Sequence, residues 1–142
     1  MPTRTLTDEA RRTLALFEDV TDVSGVDCVI DDEFDRAIIL VPATDMAQAI
    51  GPGGQNVRAV EEELGRDVKL VEDADTKTDF VANALAPAAV LNVTISENDD
   101  IVAYAEVAEA DVGVAIGEDG RNIEAARTMA RRHFDLADVE LA

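Results

Sequence analysis

Apolar positions along the chain fall into alternating helical and extended rhythms, and the order of those rhythms repeats. Ala10, Leu14 and Phe17 share one face of a helix. Thr7 is placed to cap it, and Asp8 and Glu9 lie in its first turn, where negative charge suits the helix dipole. Gly25 lies beyond its end. Two extended runs follow, at about 26–30 and 36–41, joined by the acidic turn "DDEFD". Asp45 is placed to cap a short helix, "MAQAI". A glycine turn then opens a second helix with Val57, Val60 and Leu64 on one face, stopped by Gly65. "DVKLV" reads as a closing strand.

The second half reads the same way. A helix near 78–86 ends at Pro87, and "VLNVTIS" alternates as a half-buried strand does. "IVAYAEV" is the next strand, and Asp111 is placed to cap "VGVAI". A second glycine turn precedes a helix lined by Ile123, Ala126, Ala130 and Phe134. Gly51, Gly54, Asn56 and Ala59 match Gly117, Gly120, Asn122 and Ala125 at an offset of 66 residues. Val41, Asp45, Ala49 and Val57 meet Val107, Asp111, Ala115 and Ile123 at the same offset. "DVKL" at 67–70 echoes "DVEL" at 138–141, now 71 apart, so the second copy carries five extra residues before its last strand. Ordered matches of this kind indicate a duplicated unit. The acidic stretch "EDADTKTD" at 72–79 marks the boundary, giving units 1–72 and 73–142. Each is expected to be an α+β unit of order α-β-β-α-α-β, with helices on one face of a three-stranded sheet.

Composition fits this picture. The 142 residues are 47% hydrophobic, enough to build cores. No apolar run approaches the ~18 residues of a membrane span. Residues 1–12 lack the apolar core of a signal peptide, so a cytoplasmic protein is expected. Cys28 is the single cysteine and reads as a small buried hydrophobe. With one His133 and one cysteine there is no spacing for a zinc site or a histidine-based active site, and no cofactor is implied. His133, near a helix end, reads as a dipole contact. The aromatics Phe17, Phe34, Phe80, Tyr104 and Phe134 fall mostly on core-facing positions, which argues against an aromatic stacking platform.

Charge changes the picture more. Asp and Glu number 31 against 12 Lys and Arg, a net of −19. Only Lys69 and Lys77 are lysines; the other ten cations are arginines. Acid spread along the whole chain reads as avoidance of polyanions or, in preference, as adaptation to a very salty interior, where the Debye length is only ~3 Å at 1 M salt. Under such screening, acidity does not exclude a nucleic-acid partner.

The turns "IGPGGQNV" (50–57) and "IGEDGRNI" (116–123) are the candidate chemistry. A helix, a G-x-x-G bend and a second helix expose backbone N–H groups beside a helix N-terminus, where a phosphate can bind. A dinucleotide fingerprint does not fit, because Asn56 stands where its third glycine belongs and a helix separates the turn from the strand. Neither turn has the Gly-Lys-Ser/Thr of a P-loop.

The I-G-x-x-G-x-N-I/V core between two helices resembles the KH domain, an RNA-binding module. With the extra helix and strand ahead of the core it is similar to the type II form. Two such units over about 5–142 closely resemble the archaeal NusA-like family of transcription factors. The resemblance implies that the turns clamp the backbone of single-stranded RNA over an apolar groove. In the first unit it points to Ile50, Gly51, Pro52, Gly53, Gly54, Gln55, Asn56 and Val57, with Arg58 and Lys69 as phosphate or base-edge contacts. In the second it points to Gly117, Glu118, Asp119, Gly120, Arg121, Asn122 and Ile123. Glu118 and Asp119 depart from the basic or neutral loop of the family, so the first unit is expected to dominate RNA binding. The resemblance implies a non-enzymatic transcription elongation or termination factor. Its alternatives are an adaptor docking on RNA polymerase or ribosomal components, or a ribosome-assembly factor.

The charge itself is testable. Removing salt should let the like charges repel, so the melting temperature should fall on dialysis from molar to millimolar KCl. A melting temperature constant across that range would rule out salt adaptation.

Overall fold

A computed structural model describes residues 5–142, which divide into two compact units, 5–73 and 74–142. In the first, α1 (Asp8–Thr21) precedes β1 (Asp27–Asp31) and β2 (Arg36–Val41). α2 (Met46–Ile50), α3 (Gln55–Leu64) and β3 (Asp67–Glu72) follow. β2 is the central strand, antiparallel to β1 and parallel to β3. A parallel pair cannot be closed by a hairpin. The chain must cross over the sheet, and α2, the glycine turn and α3 are that crossover.

Thr7 caps α1, its Oγ1 accepting from the Ala10 N–H at 3.1 Å. Ala10 and Phe17 of α1, Ala49 of α2 and Val60 of α3 pack on Ala37, Ile39 and Val41 of β2. Cys28 is buried in the same cluster, as expected. Ile38 and Leu40 alternate with these residues and are equally buried, so β2 reads as one continuous apolar run. At Gly25 the chain passes directly under α1. A Cβ there would lie 2.6 Å from Leu14 Cδ2 and 3.1 Å from Ile39 Cγ2.

The second unit repeats the order with α4 (Lys77–Ala84), β4 (Val90–Glu97), β5 (Ile101–Val107), α5 (Val112–Ile116), α6 (Arg121–Phe134) and β6 (Asp138–Leu141). β5 is central, antiparallel to β4 and parallel to β6. Phe80, Val81 and Ala84 of α4 are buried, as are Met129 and Ala130 of α6 and Ala103 and Ala105 of β5. Phe134 meets Phe80 edge-on, with ring centroids 4.9 Å apart. α6 runs 14 residues against 10 for α3, so most of the five-residue insertion forms one extra helical turn.

Three local expectations are corrected. Neither Asp45 nor Asp111 caps its helix through its side chain. A 3-10 turn, Ala43–Asp45 or Glu109–Asp111, leads into each short helix instead, and Asp111 Oδ2 accepts from the Ala89 N–H at 2.8 Å. α4 stops at Ala84, two residues early, because Pro87 disfavours helical backbone at Ala86. Tyr104 is 38% exposed, on the face of β5 opposite the buried Ala103 and Ala105. Phe34 and Phe134 are only half-buried, whereas Phe17 and Phe80 are fully buried.

The asparagines of the two motifs hold the helices of each crossover together. Asn56 Nδ2 donates to Gln48 O of α2 at 2.8 Å. Asn122, itself buried, donates to Ala115 O of α5 and to Leu85 O, both at 3.1 Å. Removing a buried donor strands its acceptors, at about 1–3 kcal/mol. Asn122→Ala should therefore destabilise the second unit by about 2 kcal/mol. Asn56→Ala, with one partly solvated bond, should cost less than half of that. Urea unfolding of both variants checks the ranking, and a larger loss for Asn56→Ala would contradict it.

Candidate nucleic-acid interface

The two turns have one backbone. Gly51 and Gly117 sit at φ 76° and 79°, Gly54 and Gly120 at 80° and 83°. The third position is also left-handed, Gly53 at 62° and Asp119 at 57°. Aspartate tolerates that conformation better than most residues. The first glycine is required twice over. Besides its positive φ, a Cβ on Gly51 would lie 2.6 Å from Asn56 Cγ, and one on Gly117 would lie 2.7 Å from the Asn122 backbone N. Each turn closes on itself, Gly54 N–H donating to Gly51 O at 3.0 Å and Gly120 N–H to Gly117 O at 3.1 Å.

No side chain caps α3 or α6. The first N–H of each helix turns back to its own bend, Gln55 to Pro52 O and Arg121 to Glu118 O, and no side chain takes the N–H groups that follow, beside the positive end of the dipole. At the tips, Pro52 and Gly53 are exposed and uncharged, while Glu118 and Asp119 are exposed carboxylates. Gln55, the first residue of α3, is exposed; its counterpart Arg121 folds back, Nε donating to Glu118 O at 3.2 Å.

A groove runs from the second turn to the edge strand. In the second unit Ile116, Gly120, Ile123, Arg127, Glu140 and Leu141 line a cavity of about 330 Å³. The repeat puts Ile50, Gly54, Val57, Glu61, Lys69 and Leu70 at the matching positions. Ile116 is exposed and Ile123 nearly buried, so that groove has an apolar floor, and the first unit has the exposed Ile50 and half-buried Val57 at those positions.

Glu61 and Arg127 were missed as site residues, although the 66-residue offset pairs them. Both tie helix to edge strand at the same strand residue, by opposite chemistry. Glu61 Oε2 accepts from the Val68 N–H at 2.9 Å, whereas Arg127 Nε donates to Val139 O at 3.0 Å. Arg127 also pairs with Asp138 at 2.8 Å and Glu124 at 2.5 Å. Burial opposes its charge, but those two carboxylates hold its pKa above the ordinary arginine value. Its charge is thus spent inside the protein.

Arg58 is the reverse case. It occupies the position of Glu124, is exposed, and forms no ion pair among the described residues. Its Nη1 lies 2.9 Å from where a Cβ on Gly54 would stand, so its guanidinium sits beside the turn. The structure does not bring Lys69 to that face. It alternates with Val68 and Leu70, which pack on the helix-side core, so its side chain leaves the sheet on the opposite face. Burial and then the nearby Arg36 lower its pKa. Asn56 and Asn122 likewise turn their amides inward, as described above.

Among the described residues no cluster of side chains could hold a metal ion, and no helix is long and apolar enough to cross a membrane. A family model for the NusA-like second KH domain matches residues 77–142, and one for the KH domain matches 11–94. The chain is 60% identical over 136 residues to a protein of Halobacterium salinarum named probable transcription termination protein NusA, covering 96% of each chain. A protein of Halococcus morrhuae with the same name is 61% identical over 138 residues, covering 97% of this chain and 98% of that one. One from Methanocaldococcus jannaschii is 31% identical, covering 96% of this chain and 74% of that one. The crystal structure of APE1850 matches with a TM-score of 0.84 at 28% identity, over 96% of this chain and 100% of that one. With its two glycine turns set in α/β units of one topology, the chain belongs to the archaeal NusA-like family of KH-domain proteins.

Proposed function

We propose that this protein grips single-stranded RNA during transcription, with the first unit supplying most of the grip. Transcription, rather than ribosome assembly, is favoured by the name its halophile relatives carry, probable transcription termination protein NusA. A phosphate would accept from the N–H groups at the start of α3, with Pro52 and Gly53 leaving the approach clear. Neighbouring bases would lie over Ile50, Val57 and Leu70. The observation that carries this reading is Arg58, a guanidinium beside an uncharged turn that forms no ion pair among the described residues. The second unit has Glu124 at the matching place and two carboxylates at its tip.

In molar salt, long-range attraction contributes little. Affinity then rests on N–H bonds, close contact and apolar burial, all of which need an unobstructed tip. The protein contains its own control for charge at that tip. Asp119 occupies the backbone conformation of Gly53, so Pro52→Glu with Gly53→Asp installs the second turn's residues without demanding a new backbone.

That double variant should lose at least roughly tenfold in affinity for a short oligouridine RNA in molar KCl, while melting like the parent. Glu118→Pro with Asp119→Gly should bind as well as the parent or better. RNA affinity unchanged by the first pair would refute the proposal. Arg58→Ala should weaken binding roughly threefold to tenfold and flatten the dependence of log affinity on log salt by about one phosphate contact. An unchanged slope would remove Arg58 from the phosphate contacts.

A further inference from the structure

The sheet of the second unit has two edges. β6 carries the groove beside the glycine turn, and β4 forms the opposite edge, paired only with β5. The two units treat that opposite strand differently. β1 is five residues long and has an aspartate at each end, Asp27 and Asp31. β4 runs eight residues, Val90–Glu97, and its only charge is Glu97, which Lys77 Nζ meets at 3.0 Å. Among the described residues, no hydrogen bond from outside β5 reaches the backbone of Val90–Glu97. An open edge of this kind is a template for another strand, and proteins blunt it with charge, proline or a short strand. From Asn92 to Ser96 β4 has neither charge nor proline.

A cavity of about 410 Å³ lies beside this edge. Thr78, Asp79 and Ala82 of α4 line one side, and Val90, Leu91 and Val93 of β4 line the other. Val90 pairs with Val107 and Asn92 with Glu106, so Leu91 is the extra residue of a β-bulge. A bulge re-aims a side chain, and this one sets Leu91 against the cavity. At 64% exposed, Leu91 is the most exposed large hydrophobic among the described residues.

An open strand edge beside a helix selects an extended polypeptide. Main chain pairs with main chain, and every second side chain of the added strand enters the space between edge and helix. A nucleic acid has no alternating amide donors and acceptors to continue that ladder. The rim sets the charge of the partner. Asp79 lines the cavity, and Asp99 and Asp100 follow the far end of β4. No lysine or arginine occurs between Lys77 and Arg121, and Lys77 is committed to Glu97. The β4 of a second copy would bring acids to acids. A segment ending in arginine or lysine meets complementary charge at close range.

We propose that β4 accepts an extended segment of a second protein as a fourth strand of this sheet. Alternating apolar residues of the segment fill the cavity against α4, and its cationic ends meet Asp79 and the Asp99–Asp100 turn. The site is on the edge away from the groove at β6, so it does not rest on the RNA reading.

The probe is a short synthetic peptide alternating Val and Thr, with Arg at each end. Its controls are the same peptide with the internal amides N-methylated, the same peptide with Glu for Arg, and oligouridine RNA. Each is titrated into the full chain in molar KCl, followed by anisotropy and by amide hydrogen exchange of β4. The unmodified peptide should bind and slow exchange at alternate residues of Asn92–Glu97 at least roughly tenfold. The N-methylated peptide should do neither, and the Glu peptide should bind more weakly. Leu91→Lys, which places a charge at the edge, should weaken peptide binding roughly tenfold, and Asp79→Asn roughly threefold, with both variants melting like the parent. The proposal is overturned if either control peptide binds as well as the unmodified one, if Leu91→Lys binds like the parent, or if oligouridine protects the β4 amides. It is also overturned if the chain alone is a dimer by light scattering that Leu91→Lys dissociates, which would assign the edge to a second copy.

Discussion

The parallel pairing of β2 with β3, and of β5 with β6, constrains everything else in this protein. A parallel neighbour has to be reached by crossing the sheet, and here the crossover is two helices with a bend of four residues between them. So short a bend cannot be made by ordinary backbone. It needs positive φ at three of its four positions, and at the first position it also needs the absence of a Cβ. The asparagine that follows holds the bend closed by donating to the carbonyls of the preceding helix. These requirements leave the next helix without a side-chain cap, its first N–H donating back to the bend, Gln55 to Pro52 O and Arg121 to Glu118 O. A helix start without a side-chain cap is therefore a by-product of how the crossover is closed, and it appears in both units.

Because the backbone is fixed by topology, the units differ only in what their side chains do with the same positions. The exchange of Arg58 and Glu61 for Glu124 and Arg127 shows this most clearly. The outward N–H of one strand residue is met by Glu61 in the first unit and by the Asp138 side chain in the second, where the long helix instead sends Arg127 to that residue's C=O. Choosing the carboxylate frees an arginine one turn earlier. Choosing the guanidinium consumes the positive charge and brings an acid to the mouth of the turn. The second unit then follows the same direction at its tip with Glu118 and Asp119.

How much of this was legible in the sequence depended on whether a single residue type was compulsory. The glycines and asparagines are compulsory, so the duplication, the turns and the order of elements could all be read from them. The helix of the second unit could be lengthened by one turn without disturbing that order, and the offset change from 66 to 71 recorded it. Choices that several residue types satisfy were not legible. Asp45 and Asp111 have the right identity for caps, but the 3-10 turns ahead of them already supply the start of the helix. The pairing of Glu61 with the Val68 N–H and of Arg127 with the Val139 carbonyl looks, in sequence, like an unrelated substitution. Lys69 looked like a groove residue because the strand was placed correctly; the pleat, which alternates its side chains, puts it on the other face.

The net charge of −19 adds a limit on how this protein can recognise anything. Where molar salt screens charges beyond a few ångströms, a cation or an acid counts only where it touches its partner. Total charge then says little about which partner is chosen, and the few residues at each contact say nearly all of it. On the first turn that means one guanidinium and a bare glycine tip. On the second it means carboxylates, with no cation for over forty residues before Arg121. The duplicated fold therefore carries two turns of one backbone whose local chemistry differs, an uncharged tip beside Arg58 in one unit and Glu118 with Asp119 in the other.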